Sequence, residues 1–124
     1  MSELIVTTGS EEEFFRRGKE VARLADQGAA IPDERIIRFE DPADLLKLLT
    51  ATRLALFLSI KGNPGSITNI ACRLHRDRSA VKRDVDELAR AGLLHVEQKI
   101  LPGHGRMKEV RVVAERFKLE AKVA

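Results

Sequence analysis

The chain has 124 residues, 44% of them apolar and 33% charged, with a formal net charge of +3; that is one domain with a small appendage, with enough apolar residues for a core and enough charge for solubility. No apolar run approaches the roughly 18 residues that a membrane span needs, MSELIVTTGS lacks the basic start and long apolar centre of a secretory signal, and the single Cys72 excludes an internal disulfide, which together point to a cytoplasmic protein with no membrane partner. The charge is uneven: residues 1–50 hold 7 Lys/Arg against 11 Asp/Glu, and residues 51–124 hold 15 against 8, so the second half has the sign that suits a polyanion.

Leu4-Ile5-Val6 with two threonines reads as a short strand. Ser10-Glu11-Glu12-Glu13 is a capping box, and a helix should follow to about Gln27 and end near Gly28. Its apolar stripe is expected to be Phe14, Gly18, Val21 and Ala25, with Leu24 beside it. Phe14 and Phe15 are expected in the core or a dimer contact. Ala29 to Pro32 reads as a linker, and Arg35 to Phe39 as a second strand.

Asp41-Pro42 opens another helix, with Asp at the cap and Pro in the first helical turn. Leu45, Leu46, Leu48 and Leu49 are expected in the core or an interface. Thr50 caps a further helix, in which Leu54, Phe57 and Leu58 should face the core. Lys61-Gly62-Asn63-Pro64-Gly65 breaks it.

The most informative stretch is Ser66 to Gly92, SITNIACRLHRDRSAVKRDVDELARAG. Ser66 can cap a helix whose apolar residues Ile67, Ile70, Ala71 and Leu74 share one face. The turn Leu74-His75-Arg76-Asp77 follows, with Asp77 as the cap of a second helix. That helix repeats Val81, Val85 and Leu88 on one side and stops at Gly92. Arg78, Ser79, Lys82 and Arg83 lie on the other side. Two helices joined by a tight turn, the second with a basic outer face, form a helix-turn-helix pattern. Lys82/Asp86 and Arg83/Glu87 have the i, i+4 spacing of surface ion pairs.

After Gly92 the apolar period changes to two. Leu94, Val96 and Ile100 lead to the turn Pro102-Gly103-His104-Gly105, and Val110 and Val112 alternate beyond it. This is a hairpin placed as a wing, with His104, Arg106 and Lys108 near its tip. Phe117, Leu119, Ala121 and Val123 alternate with charged residues, which favours a strand paired with an N-terminal strand or with a second subunit, although Glu, Ala and Lys are good helix formers and leave a helix as the alternative.

Cys72 and His75 have metal-ligand spacing, but a zinc site needs further ligands, so no metal and no cofactor are expected. Cys72 is expected to be a buried, unreactive thiol. No nucleophile elbow or phosphate loop is present, and no enzymatic activity is expected.

From Asp41 to about Val113 the chain resembles MarR-like winged helix-turn-helix transcriptional regulators, and more closely small prokaryotic DNA-binding regulators of about this length. The resemblance rests on LLKLLTATRLALFLSI, on SITNIACRLHRDRSAVKRDVDELARAGLLHVE and on the wing. SEEEFFRRGKEVARLADQG and RIIRFEDPADLL look like the front half of the same proteins. Ala51 stands where relatives often have proline, and His75 where many turns have glycine.

The resemblance implies an α+β fold. Its parts are a three-helix core with a β-hairpin wing over residues 41–124, C-terminal strand included, and a strand-helix-strand extension over 1–40 for dimerisation or a partner. It implies a homodimer on a palindromic double-stranded DNA operator, acting as a repressor. Arg78, Ser79, Lys82 and Arg83 would read the major groove. Arg76 and the first-turn amides of the recognition helix would lie near phosphates, and His104, Arg106 and Lys108 would reach the backbone or minor groove. The rival expectation is an antitoxin-like or other protein-interaction module, with the front half binding a protein partner.

Overall fold

The computed structural model describes residues 2–28, 34–103 and 105–123. The expected linker Ala29–Pro32, the side chain of Phe14 and His104 lie outside the described residues. The elements run β1 (Glu3–Thr8), α1 (Glu11–Asp26), β2 (Glu34–Phe39), α2 (Pro42–Leu48), α3 (Ala51–Gly62), α4 (Ile67–Leu74), α5 (Arg78–Arg90), β3 (Leu94–Leu101), β4 (Gly105–Val112) and β5 (Arg116–Leu119). They form two compact units. One combines the described residues up to Lys47 with those from Ala114 onward; the other is Leu48–Val113.

The first unit is built on a three-stranded sheet in the order β2-β1-β5. Both pairings are parallel, Glu3 to Thr8 matching Glu34 to Phe39 and Glu3 to Val6 matching Arg116 to Leu119. Parallel neighbours need a crossover, and α1 supplies it between β1 and β2. Ser10 caps α1 by accepting from the Glu13 N–H at 3.3 Å, as the capping box predicts. The central strand buries alternate residues, Leu4, Val6 and Thr8. The Thr8 hydroxyl is satisfied by the chain's last segment: it accepts from the Lys122 N–H at 2.7 Å and donates to the Lys122 carbonyl at 3.0 Å.

Arg116–Leu119 of the tail is therefore a strand paired with the N-terminal strand, one of the two partners the sequence allows, while Ala121 and Val123 lie beyond its end. The division differs from the expected 1–40 and 41–124. The described residues from Ala114 onward leave the winged half because their ladder bonds, such as Glu120 N–H to the Val6 carbonyl at 2.9 Å, are made to β1.

The second unit is a winged helix-turn-helix. Thr50, Ser66 and Asp77 each cap a helix with a side-chain oxygen on first-turn amides. Leu56, Phe57, Ile60, Ile70, Val81, Val85, Leu88, Leu93 and Val110 are almost fully buried, each worth about 1.5–3 kcal/mol if fully transferred from water. The antiparallel β3–β4 hairpin pairs Leu94 with Val112 through Leu101 with Gly105. Gly65 attaches the wing to the α3–α4 connection by exchanging two backbone hydrogen bonds with Val110, at 2.8 and 3.3 Å.

Three apolar assignments shift. In α3 the core positions are Leu56, Phe57 and Ile60; Leu54 is half-buried and Leu58 is 55% exposed. The run LALFLSI is apolar on nearly every side, so its period does not fix which face turns inward. Among the described side chains of α1 only Val21 and Leu24 are half-buried, while Gly18 and Ala25 are exposed and Phe15 is 62% exposed. In α2 Leu45 is buried, but Leu46 is exposed.

Candidate nucleic-acid interface

The site is built from the α4–turn–α5 segment outward. The Ser66 hydroxyl accepts from the Asn69 N–H at 3.1 Å and starts α4. The helix ends at His75, whose φ of 53° and ψ of 45° place it in the left-handed region. The N–H groups of His75 and Arg76 then return to the carbonyls of Cys72 and Ala71, which closes the helix end. This conformation is usual for glycine, so His75 adopts the glycine geometry without being one.

Asp77 starts α5. One of its carboxylate oxygens accepts from the N–H groups of Ser79 and Ala80, at 3.0 and 3.3 Å. Two of the first-turn amides expected near phosphates, those of Ser79 and Ala80, therefore already have a protein partner. Val81, Val85 and Leu88 are fully buried and hold the inner face of α5 against the core.

The outer face exposes Arg78, Ser79, Lys82 and Arg83. Arg78 donates to the Thr68 hydroxyl at 3.0 Å. Lys82 and Asp86 form the expected i, i+4 ion pair at 2.8 Å, with both side chains about half exposed. Such surface pairs contribute about 0–1 kcal/mol. The expected Arg83/Glu87 pair does not form, because Glu87 turns to Arg90 at 2.6 Å. Arg83 has no hydrogen-bond or ion-pair partner among the described residues.

Arg76 differs from the other basic residues. It donates from Nη2 to Asp84 Oδ2 at 2.8 Å, and its side chain is 24% exposed. Asp84 Oδ1 accepts from Arg53 Nε at 3.1 Å, and Arg53 also donates to the Leu48 carbonyl at 3.2 Å. Burial alone would raise the Asp84 pKa. The hydrogen bonds from Arg76 and Arg53, with their charges, outweigh it and hold the carboxyl below its ordinary value. Arg76 is thus a strut inside the helix-turn-helix rather than a free phosphate ligand. The sequence reading missed Asp84, although a signal was present: an acidic residue falls on the stripe Val81, Asp84, Val85, Leu88, where only a paired charge belongs.

On the wing, Arg106 pairs in register with Ile100, and Lys108 with Gln98. All four are exposed. The neighbouring cations are occupied: Lys99 meets Glu109 at 3.0 Å, and Arg111 meets both Glu109 and Glu97. Hydrogen bonds from Arg111 and Lys99 hold the Glu109 pKa below its usual value. Arg106 and Lys108 have no such partner among the described residues.

Cys72 is exposed rather than buried: it is one residue past the inward-facing pair Ile70 and Ala71. Among the described residues no group of three or more His, Cys, Asp or Glu comes together as a metal site. No helix among them is long and apolar enough to cross a membrane.

The family model HVO_A0114 matches residues 48–119. A solved structure similar to this chain is described as a possible transcriptional regulator from Methanosarcina mazei Go1. It is 24% identical with a TM-score of 0.49, and the match covers 59% of this chain and 66% of that one, just under two thirds of its length. No curated protein matches.

Proposed function

The chain belongs to the HVO_A0114 family, and we propose that it is a sequence-specific double-stranded-DNA-binding regulator of transcription of the MarR-like type. The observation that carries this reading is the two-sided character of α5. Its underside is anchored by Val81, Val85 and Leu88. Its outer side offers Arg78, Ser79, Lys82 and Arg83 to solvent, with Arg83 uncommitted to any described residue. An α-helix fits the major groove, where arginine and lysine donate to guanine O6 and N7. Arg106 and Lys108 on the wing are suited to the phosphate backbone beside it.

The protein acts by occupying its operator as a cytoplasmic homodimer, a repressor without catalytic activity. Two copies related by a two-fold axis present their α5 helices to half-sites about one helical turn apart. Selection of bound fragments from a random duplex pool, followed by anisotropy titration of the enriched sequence, tests the reading. It expects an enriched palindrome and affinity that falls steeply with salt. A pool that gains no sequence bias, or affinity indifferent to salt, overturns it.

A further inference from the structure

We infer that the end of the wing is a wedge: Ile100 enters the minor groove, parts two stacked base pairs and bends the duplex. The inference rests on the proposed DNA reading and deepens it, because it makes the deformability of the operator part of what is recognised.

The register divides the wing into two unlike faces. Residues directly opposite one another in an antiparallel pair project to the same side, and successive residues project to opposite sides. One face therefore carries Leu94, Val96, Gln98 and Ile100 from β3 with Val112, Val110, Lys108 and Arg106 from β4. Leu94 and Val110 are buried, so near its base this face packs against the helices. The other face carries Glu97, Lys99, Glu109 and Arg111, which neutralise one another. Lys99 meets Glu109 at 3.0 Å, and Arg111 meets Glu97 at 3.7 Å.

Beyond Val96 and Val110 the hairpin continues from the Glu97–Glu109 pair to the Leu101–Gly105 pair. That is a projection of roughly 17 Å at about 3.4 Å per residue. Among the described residues of this free length, both acids, Glu97 and Glu109, lie on the second face. The first face holds Arg106 and Lys108 and no acid. The charge is thus sorted across the ribbon, and only the face with Ile100 attracts a polyanion. This selects a nucleic-acid backbone as the occupant.

Ile100 is 77% exposed and stands directly opposite Arg106. Antiparallel geometry sets such Cβ atoms about 4.5–5.5 Å apart, so a phosphate held by Arg106 brings Ile100 to the rim of the groove. The minor groove, about 6 Å wide, admits a side chain but not the ribbon. A β-branched side chain is stiff at χ1 and enters with little entropy to lose. Apolar side chains of this kind part neighbouring base pairs and kink the duplex by about 20–90°. Lys108, on the same face, secures the second contact to the backbone. Pyrimidine–purine steps unstack most easily, so the preferred site has one under Ile100.

The enriched duplex, labelled at both ends for energy transfer, tests this on the full chain. The wild type should shorten the end-to-end distance by the amount that a bend of at least about 20° requires. A fluorescent purine analogue at the contacted step, quenched while stacked, should brighten. Ile100→Ala should still bind, but leave the duplex straight and the analogue dark. Ile100→Leu should keep both signals. Ile100→Lys adds a phosphate contact, so it should steepen the salt slope by about 1 and still fail to bend the duplex. Exchanging the flexible step for a stiff A-tract should weaken the wild type about fivefold or more and leave Ile100→Ala unmoved. A duplex that is bound but straight, or bent equally by Ile100→Ala, overturns the wedge and leaves the DNA reading standing. A protein that binds no duplex overturns both.

Discussion

The carboxylate of Asp84 accepts from Arg76 at 2.8 Å on one oxygen and from Arg53 at 3.1 Å on the other. A single side chain thus ties α5 to the turn before it and to the first turn of α3. Replacing Asp84 with Asn keeps the volume and removes the charge. It leaves two partly buried guanidinium groups short of a counter-ion, at an expected cost of about 1–3 kcal/mol. Urea denaturation followed by circular dichroism reads this directly; an unchanged midpoint would remove the strut.

The same carboxylate sets a pH dependence. Its folded pKa is lowered, so the folded chain holds fewer protons on it than the unfolded chain in the acid range. Its contribution is complete above the unfolded value, about 3.9, and is lost as pH falls through the lower folded value. Acid unfolding should therefore show a component below about pH 4 that the Asp84→Asn variant lacks.

Arg83 and Arg76 should separate cleanly on substitution. Arg83→Ala removes an exposed, unpartnered cation. It should cost about 1–3 kcal/mol in operator binding if it reads a base, with melting within about a degree of wild type. Arg76→Ala should lower the melting temperature first, because it removes one of the two guanidinium partners of the partly buried Asp84. A gel-shift titration and a thermal melt on each variant suffice. Equal loss of binding with no loss of stability in both would contradict the assigned roles.

Arg106→Ala and Lys108→Ala on the wing should leave stability intact. Each should reduce the slope of log affinity against log salt by about 1 if it neutralises one phosphate. Sequence preference, measured on variant duplexes, should not change. A relaxed preference at one base pair would move that residue from backbone to base contact.

His75→Gly removes the cost of holding a branched-off side chain in the left-handed region. A gain of about 0.5–1 kcal/mol is expected, or roughly 3–6 °C in melting temperature. A drop instead would mean that the imidazole makes a contact which outweighs the backbone term.

Much of the winged half was legible because its signals are local. Ser10, Thr50, Ser66 and Asp77 announce helix starts by hydrogen bonds to amides two or three residues on. Val81, Val85 and Leu88 mark one face of one helix. What was not legible depends on partners distant in the chain. The occupant of the β1 edge, the commitment of Arg76 and the choice of Glu87 between Arg83 and Arg90 are settled by geometry that spacing does not encode. The phase of α3 was lost because LALFLSI is apolar nearly all round, and that of α1 because its apolar residues lie on two sides. That Arg78, Ser79, Lys82 and Arg83 are exposed followed from their alternation with the buried valines, whereas His104 lies outside the described residues.

The pairing of β5 with β1 has a consequence for synthesis. β1 meets its second neighbour, β5, only after all of Leu48–Val113 has been made. The contiguous half can finish folding while the opening segment waits with one flank uncovered. Nascent chains arrested before Ala114 should therefore carry a folded wing and a protease-sensitive β1, and chains extended past Leu119 should protect that strand.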